Sequence, residues 1–207
     1  LNIDSADIFS TILGLMIDKP FNIKMTKSGK ITEVRNIDNL YAGIFDNFPY
    51  LDEAQVKQLL NQLDQAYGEK SFIGNLEACT AIFPNAPVAL NAKWKVKIKL
   101  EASIPTNVIS SYKLTQVSDS CYHISGTSKL KTFDKEDYVE SDESIIKYDL
   151  SGEMVSDIIV DRTTGWVLNA TLVQNVEGYA TFKANAQRST DVSVPMVVKN
   201  IMTYSNK

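Results

Sequence analysis

An α+β fold, in which an antiparallel, curved, meandering sheet packs against three or four helices from the N-terminal third, is what this 207-residue sequence predicts. Three observations carry it. Apolar residues recur at helical spacing through the first third; Lys93 to Leu100 alternates lysine with an apolar residue without a break; and the links between later strand-like segments are short turns. Short turns join antiparallel neighbours, whereas parallel strands need long crossovers. Helices first and strands later is the order of an α+β chain. One domain over 1–207 is expected, mainly helical with one hairpin over 1–91 and an antiparallel sheet over 92–207. A domain of this length buries about 70% of its unfolded surface, enough to fold without staples.

Each element has a local reason. Ile8, Ile12, Leu15 and Met16 share one helical face, with Asp4 or Ser5 as the cap. Residues 21–25 and 31–34 flank Thr26-Lys27-Ser28-Gly29-Lys30, a polar turn in which Gly29 can take positive φ, so a β-hairpin follows. Ile37, Leu40, Tyr41, Ile44, Phe45 and Phe48 return to helical spacing, and Pro49 stops them. Asp52 caps the clearest helix, whose stripe is Val56, Leu59, Leu60 and Leu63 and whose end is Tyr67-Gly68. A further helix runs from 71 to about 83 and ends at Pro84. Strands are expected over 93–100, 108–117, 121–131, 145–150, 154–161, 166–176, 179–184 and 192–204. Their predicted turns include Ser151-Gly152 and Glu177-Gly178.

Composition sets the class. At 44% hydrophobic and 22% charged, the chain is neither disordered nor fibrous. Its longest apolar run, at 12–17, is far short of the roughly 20 residues that span a bilayer. The absence of an initiator Met at Leu1 leads us to expect a removed N-terminal segment and a secreted or envelope protein. The two cysteines, Cys79 and Cys121, then raise two readings: a disulfide formed in an oxidising compartment, or two unrelated thiols. Neither lies in a CxxC pair, so zinc and redox motifs are not expected. Residues 131–144 carry six acids against two lysines, which accounts for the whole net charge of −4 and leaves the remainder neutral. Without a basic excess or an aromatic-lined basic motif, nucleic acid is a poor partner.

Candidate sites are few. Lys93, Lys95, Lys97 and Lys99 stand on one strand face, either as a ligand-binding face for anionic headgroups or acidic glycans or as the protected edge of a sheet. His123 is the only histidine, has no acid or cysteine at ligand spacing, and reads as an ordinary strand residue. No Gly-x-Ser-x-Gly elbow occurs, so a Ser-His-Asp hydrolase is not expected. The acidic stretch lacks EF-hand spacing and reads as a loop; no metal and no cofactor are expected. Segments such as 154–161 put apolar residues on both faces, Ile158 and Val160 on one and Val155 and Ile159 on the other. That predicts a sheet partly covered on both sides, with either an apolar cavity for a lipid-like ligand or a fully packed core.

The order of Lys19-Pro20-Phe21, Ser28-Gly29-Lys30-Ile31, Phe83-Pro84-x-x-Pro87-Val88, Trp94 and Asp161 to Gly165 resembles an uncharacterised family of Gram-negative cell-envelope lipoproteins. The chain departs from that pattern at Asp18 and Asn91, where glycine is typical, which places a difference in those turns. The resemblance implies export to the periplasm or an outer-membrane anchor, membrane contact only through a lipid-modified cysteine upstream, and no enzymatic activity. It supplies no catalytic residues. Its plan is similar at fold level to periplasmic lipoprotein carriers, a weak warrant for function. The expectation is thus an extracytoplasmic, non-enzymatic binding or scaffold domain with a hydrophobic, lipid-like ligand between sheet and helices. The alternative is a surface module that binds an envelope protein or acidic glycan through an exposed strand or the lysine face.

Overall fold

Helix α1 (Ser5–Met16) leads the chain in the computed structural model, which describes residues 5–100, 104–133, 138–141, 144–185 and 188–206. Ser5 is its first residue, and the other expected cap, Asp4, lies outside the described residues. Strands β1 (Asn22–Met25) and β2 (Ile31–Arg35) form the predicted antiparallel hairpin. Gly29 closes its turn at φ 84°, a conformation that costs a residue with a Cβ.

The helix expected at 37–48 is not continuous. It is two short 3₁₀ turns, Ile37–Leu40 and Phe45–Asn47. Asn36 at φ 62° and Gly43 at φ 69° interrupt the helical path on which the apolar spacing depends. Helix α2 (Glu53–Tyr67) opens with a capping box: the Gln55 N–H donates to Asp52 Oδ1 at 2.8 Å, and the Asp52 N–H donates to Gln55 Oε1 at 3.0 Å. Gly68 separates it from α3 (Glu69–Thr80), which stops short of Phe83 because Ala81 leaves helical geometry at ψ 58°.

The sheet is antiparallel, with β3 (Lys93–Leu100), β4 (Thr106–Val117), β5 (Cys121–Thr132), β7 (Ser144–Asp161), β8 (Val167–Phe182) and β9 (Val192–Ser205) in that spatial order. Short β6 (Val139–Ser141) pairs with the start of β7. Two predicted turns are absent, since Ser151-Gly152 lies within β7 and Glu177-Gly178 within β8. Their glycines serve strand contact instead. A Cβ on Gly152 would sit 2.1 Å from the Asn175 carbonyl oxygen, and one on Gly178 would sit 2.0 Å from that of Asp149.

Two cores result. On the inner face of the sheet, Val108, Tyr112, Ile124, Leu130, Ile158 and Leu172 pack with Ala78, Cys79 and Ile82 from α3 and the segment after it. Ile12 of α1, Leu63 of α2 and Ile44 and Phe48 of the 3₁₀ region make a second, separate cluster. The helical cover of the sheet is therefore α3, while α1 and α2 spend their apolar stripes on each other. The outer face of the sheet is also not as expected. Val155 of β7, Val173 of β8 and Ile201 of β9 stand opposite one another in register and are 58%, 48% and 69% exposed, so the second apolar face of these strands looks into solvent.

Candidate functional site

Between α3 and the inner face of the sheet lies a cavity of about 290 Å³. Its roof is built from small α3 residues on one helical face, Ser71, Gly74 and Ala78, with Asn75 beside them. Its floor is mainly hydrocarbon: Ile98 of β3, Val108 of β4, Leu130 of β5, Met154 of β7 and Val198 and Met202 of β9 all line it. The space exists because the helix brings small side chains to a place where a Leu or Phe would fill the layer.

The hydroxyls of Ser110, Tyr112 and Thr132 in this wall are engaged within the protein, and Asn75, Lys131 and Gln174 line it beside them. Ser110 Oγ and Ser128 Oγ lie 2.7 Å apart, and Ser110 also bonds the Tyr112 hydroxyl, whose pKa burial pushes up. Thr132 Oγ1 donates to the Tyr148 carbonyl at 3.1 Å and accepts from the Leu150 N–H at 3.1 Å. With these hydroxyls already paired, the surface left to an occupant is largely apolar. At one end the Tyr112 ring lies 6.0 Å from that of Trp94, whose Nε1–H donates to the Ile82 carbonyl at 2.7 Å. That bond ties the chain after α3 to β3 and fixes the roof over the floor.

The structure disperses the residues singled out from sequence. Lys93, Lys95, Lys97 and Lys99 are exposed on the outer face of β3, an edge strand of the described sheet, on the side away from the cavity. Their partners Trp94, Val96 and Ile98 face the core, as the alternation predicts. Cys79 and Cys121 are free thiols, the second of the two readings. They take opposite sides of the sheet. Cys79 is buried in the core on the inner face, whereas Cys121 precedes the inward Tyr122 on β5 and so takes an outward position. Burial pushes the Cys79 thiol up to about 11, which keeps it protonated and unreactive at neutral pH.

His123 is half-buried on β5, and its carbonyl accepts from Thr115 Oγ1 at 3.1 Å. Among the described residues no group of His, Cys, Asp or Glu is arranged to hold a metal, and no described helix is long and apolar enough to cross a membrane. Residues 134–137 and 142–143 of the acidic stretch lie outside the described residues. The cavity residues escaped the sequence reading, although Ser71, Gly74 and Ala78 at helical spacing and inward serines at 110 and 128 were its visible trace.

The motifs that carried the family resemblance act as structural pins. Gly29 packs so tightly on α3 that a Cβ there would lie 1.7 Å from the Thr80 carbonyl oxygen. Asp161 Oδ1 accepts from the N–H groups of Thr163 and Thr164 at 3.0 and 2.6 Å, and Gly165 completes this turn at φ 76°. Asp18 and Asn91, the departures from glycine, have φ of 63° and 66°. The turns thus keep the left-handed geometry that glycine supplies, because Asp and Asn tolerate it best among other residues.

Comparison with curated proteins and with solved structures finds no match. A family model described as a family of unknown function matches residues 2–167, most of the chain, from α1 through β7 to the start of β8. On that match, which takes in every motif just described, the chain belongs to DUF6263, a family of unknown function.

Proposed function

We propose that this chain is an extracytoplasmic, non-enzymatic binding domain that holds a hydrophobic, lipid-like ligand between α3 and a sheet curved around it. The single observation that carries the proposal is the cavity of about 290 Å³, walled mainly by hydrocarbon, with the hydroxyls of Ser110 and Thr132 already hydrogen-bonded within the protein. By water's share of liquid volume, about 30 Å³, it has room for about ten non-hydrogen atoms, the size of a short acyl chain or the end of a longer one. An apolar space with few convergent polar groups is the usual form of a small-molecule site. The extracytoplasmic part of the proposal rests on the resemblance to envelope lipoproteins.

Native mass spectrometry of the purified protein, followed by solvent extraction and analysis of the extract, tests it. Co-purifying acyl-chain species at up to one per chain are expected. Protein that carries no lipid and takes up none from added medium-chain fatty acid would overturn the reading.

A further inference from the structure

The outer face of the sheet carries a second feature. Outward positions of β3, β4 and β5 hold Lys93, Lys95, Lys97 and Lys99, then Lys113, then Lys129 and Lys131, with no carboxylate among them. Register arranges four of these. Lys97 stands opposite Ile109, which stands opposite Lys129; Lys99 stands opposite Asn107, which stands opposite Lys131. The four lysines therefore mark the corners of a rectangle about 7 Å along the strands and about 10 Å across them. Asn107 and Ile109 lie between. The Lys99 ammonium is steadied 3.5 Å from the centre of the Phe133 ring.

This rectangle opens on a groove of about 1080 Å³ that crosses the outer face. Glu153 of β7, directly opposite Lys129, and Glu177 of β8 line its far side together with Lys199 of β9, so the excess of positive charge lies in the β3–β5 half. We propose that this half is a binding surface for a linear acidic polysaccharide. Charge complementarity selects an anion with several charges in a row, since one phosphate or carboxylate would meet only one corner. A groove suits a chain better than a flat bilayer. The Phe133 ring beside the rectangle is covered by the Lys99 ammonium and is no free platform for nucleic acid bases, while Asn107, Ser111, Ser125 and Thr127 offer neutral hydrogen-bonding groups to sugar hydroxyls. The rectangle takes outward positions of the sheet and the α3 cavity lies on its inner face, but Lys131 borders both, so polysaccharide binding and lipid binding of each variant are read separately.

Fluorescence anisotropy at low salt with labelled polygalacturonate and heparin tests the proposal, with neutral dextran, phosphatidylglycerol vesicles and oligothymidylate alongside. Wild-type protein should bind one or both acidic polysaccharides more tightly than the other probes. Since a lysine beside an anionic surface is worth about fivefold, the triple variant Lys97→Gln, Lys129→Gln, Lys131→Gln should weaken binding by about a hundredfold. Lys57→Gln, on the exposed side of α2, should leave it unchanged. Because all three lysines of the test are at the surface, circular dichroism of the variant should match wild type. Absence of binding to both polysaccharides, equal binding by the triple variant, or preference for vesicles or oligothymidylate would overturn it.

Discussion

Glu77 is only 4% exposed, yet it is a carboxylate inside the protein, and its partner explains why. The Ile31 N–H donates to Glu77 Oε1 at 2.7 Å, three residues from where Thr80 Oγ1 donates to the Gly29 carbonyl at 2.7 Å. These two bonds fasten the β1–β2 hairpin to α3. Removing a buried acceptor leaves the Ile31 N–H unsatisfied, so Glu77→Ala should lower stability by about 1–3 kcal/mol in urea unfolding. Glu77→Gln, which keeps an acceptor oxygen, should cost much less. Asp161 makes a prediction in pH. Hydrogen bonds from the Thr164 backbone and hydroxyl, and then from the Thr163 N–H, hold its carboxyl below the usual value. A depressed folded pKa contributes stability that is present above the unfolded pKa and is lost as pH falls through the folded one. An NMR titration should therefore place the Asp161 carboxyl below the ordinary aspartate value, and Asp161→Ala should abolish its share of the acid sensitivity. A normal titration would mean that the turn is open in solution.

At the scale of elements, β7 and β8 depend on glycines placed where each strand needs the other's backbone. Gly178 has φ 153° and no room for a Cβ beside the Asp149 carbonyl. Gly178→Ala should destabilise by about 2 kcal/mol or more in thermal or urea unfolding, through both strain and strand separation. A loss within 0.5 kcal/mol would show that the strands are not this close. The same glycines mark where the sequence misleads. Gly between polar residues reads as a turn, because in isolation nothing distinguishes a glycine that bends a chain from one that lets another chain approach. Local signals succeeded where one residue decides the outcome: Asp52 with Gln55 for α2, Gly29 for the hairpin, lysine alternation for β3. They failed at 37–48, where apolar spacing is helical but Asn36 and Gly43 in the left-handed region break the path. They left the cysteine pair open between a bridge and two thiols, because the side of the sheet each cysteine takes is set by packing between distant elements. The cavity lay beyond reach for the same reason. Small residues on α3 and serines on β4 and β5 form a site only once the helix has crossed the sheet.

The whole molecule is a sheet with two different faces. One is covered by α3 over an apolar space, and the other is open, basic over β3–β5 and apolar where Val155, Val173 and Ile201 align. The motifs behind the resemblance pin the hairpin, the Trp94 step and the Asp161 turn, and so hold the two faces of the sheet in place. The central claim is that the space under α3 takes an apolar ligand. Its most direct test is fluorescence titration with a dansylated medium-chain fatty acid, comparing wild type with Ala78→Leu, a substitution that fills the cavity from its roof with hydrocarbon. Saturable binding by wild type at one site, abolished in a folded Ala78→Leu protein, is the predicted result; the same binding by both proteins, or by neither, would contradict it.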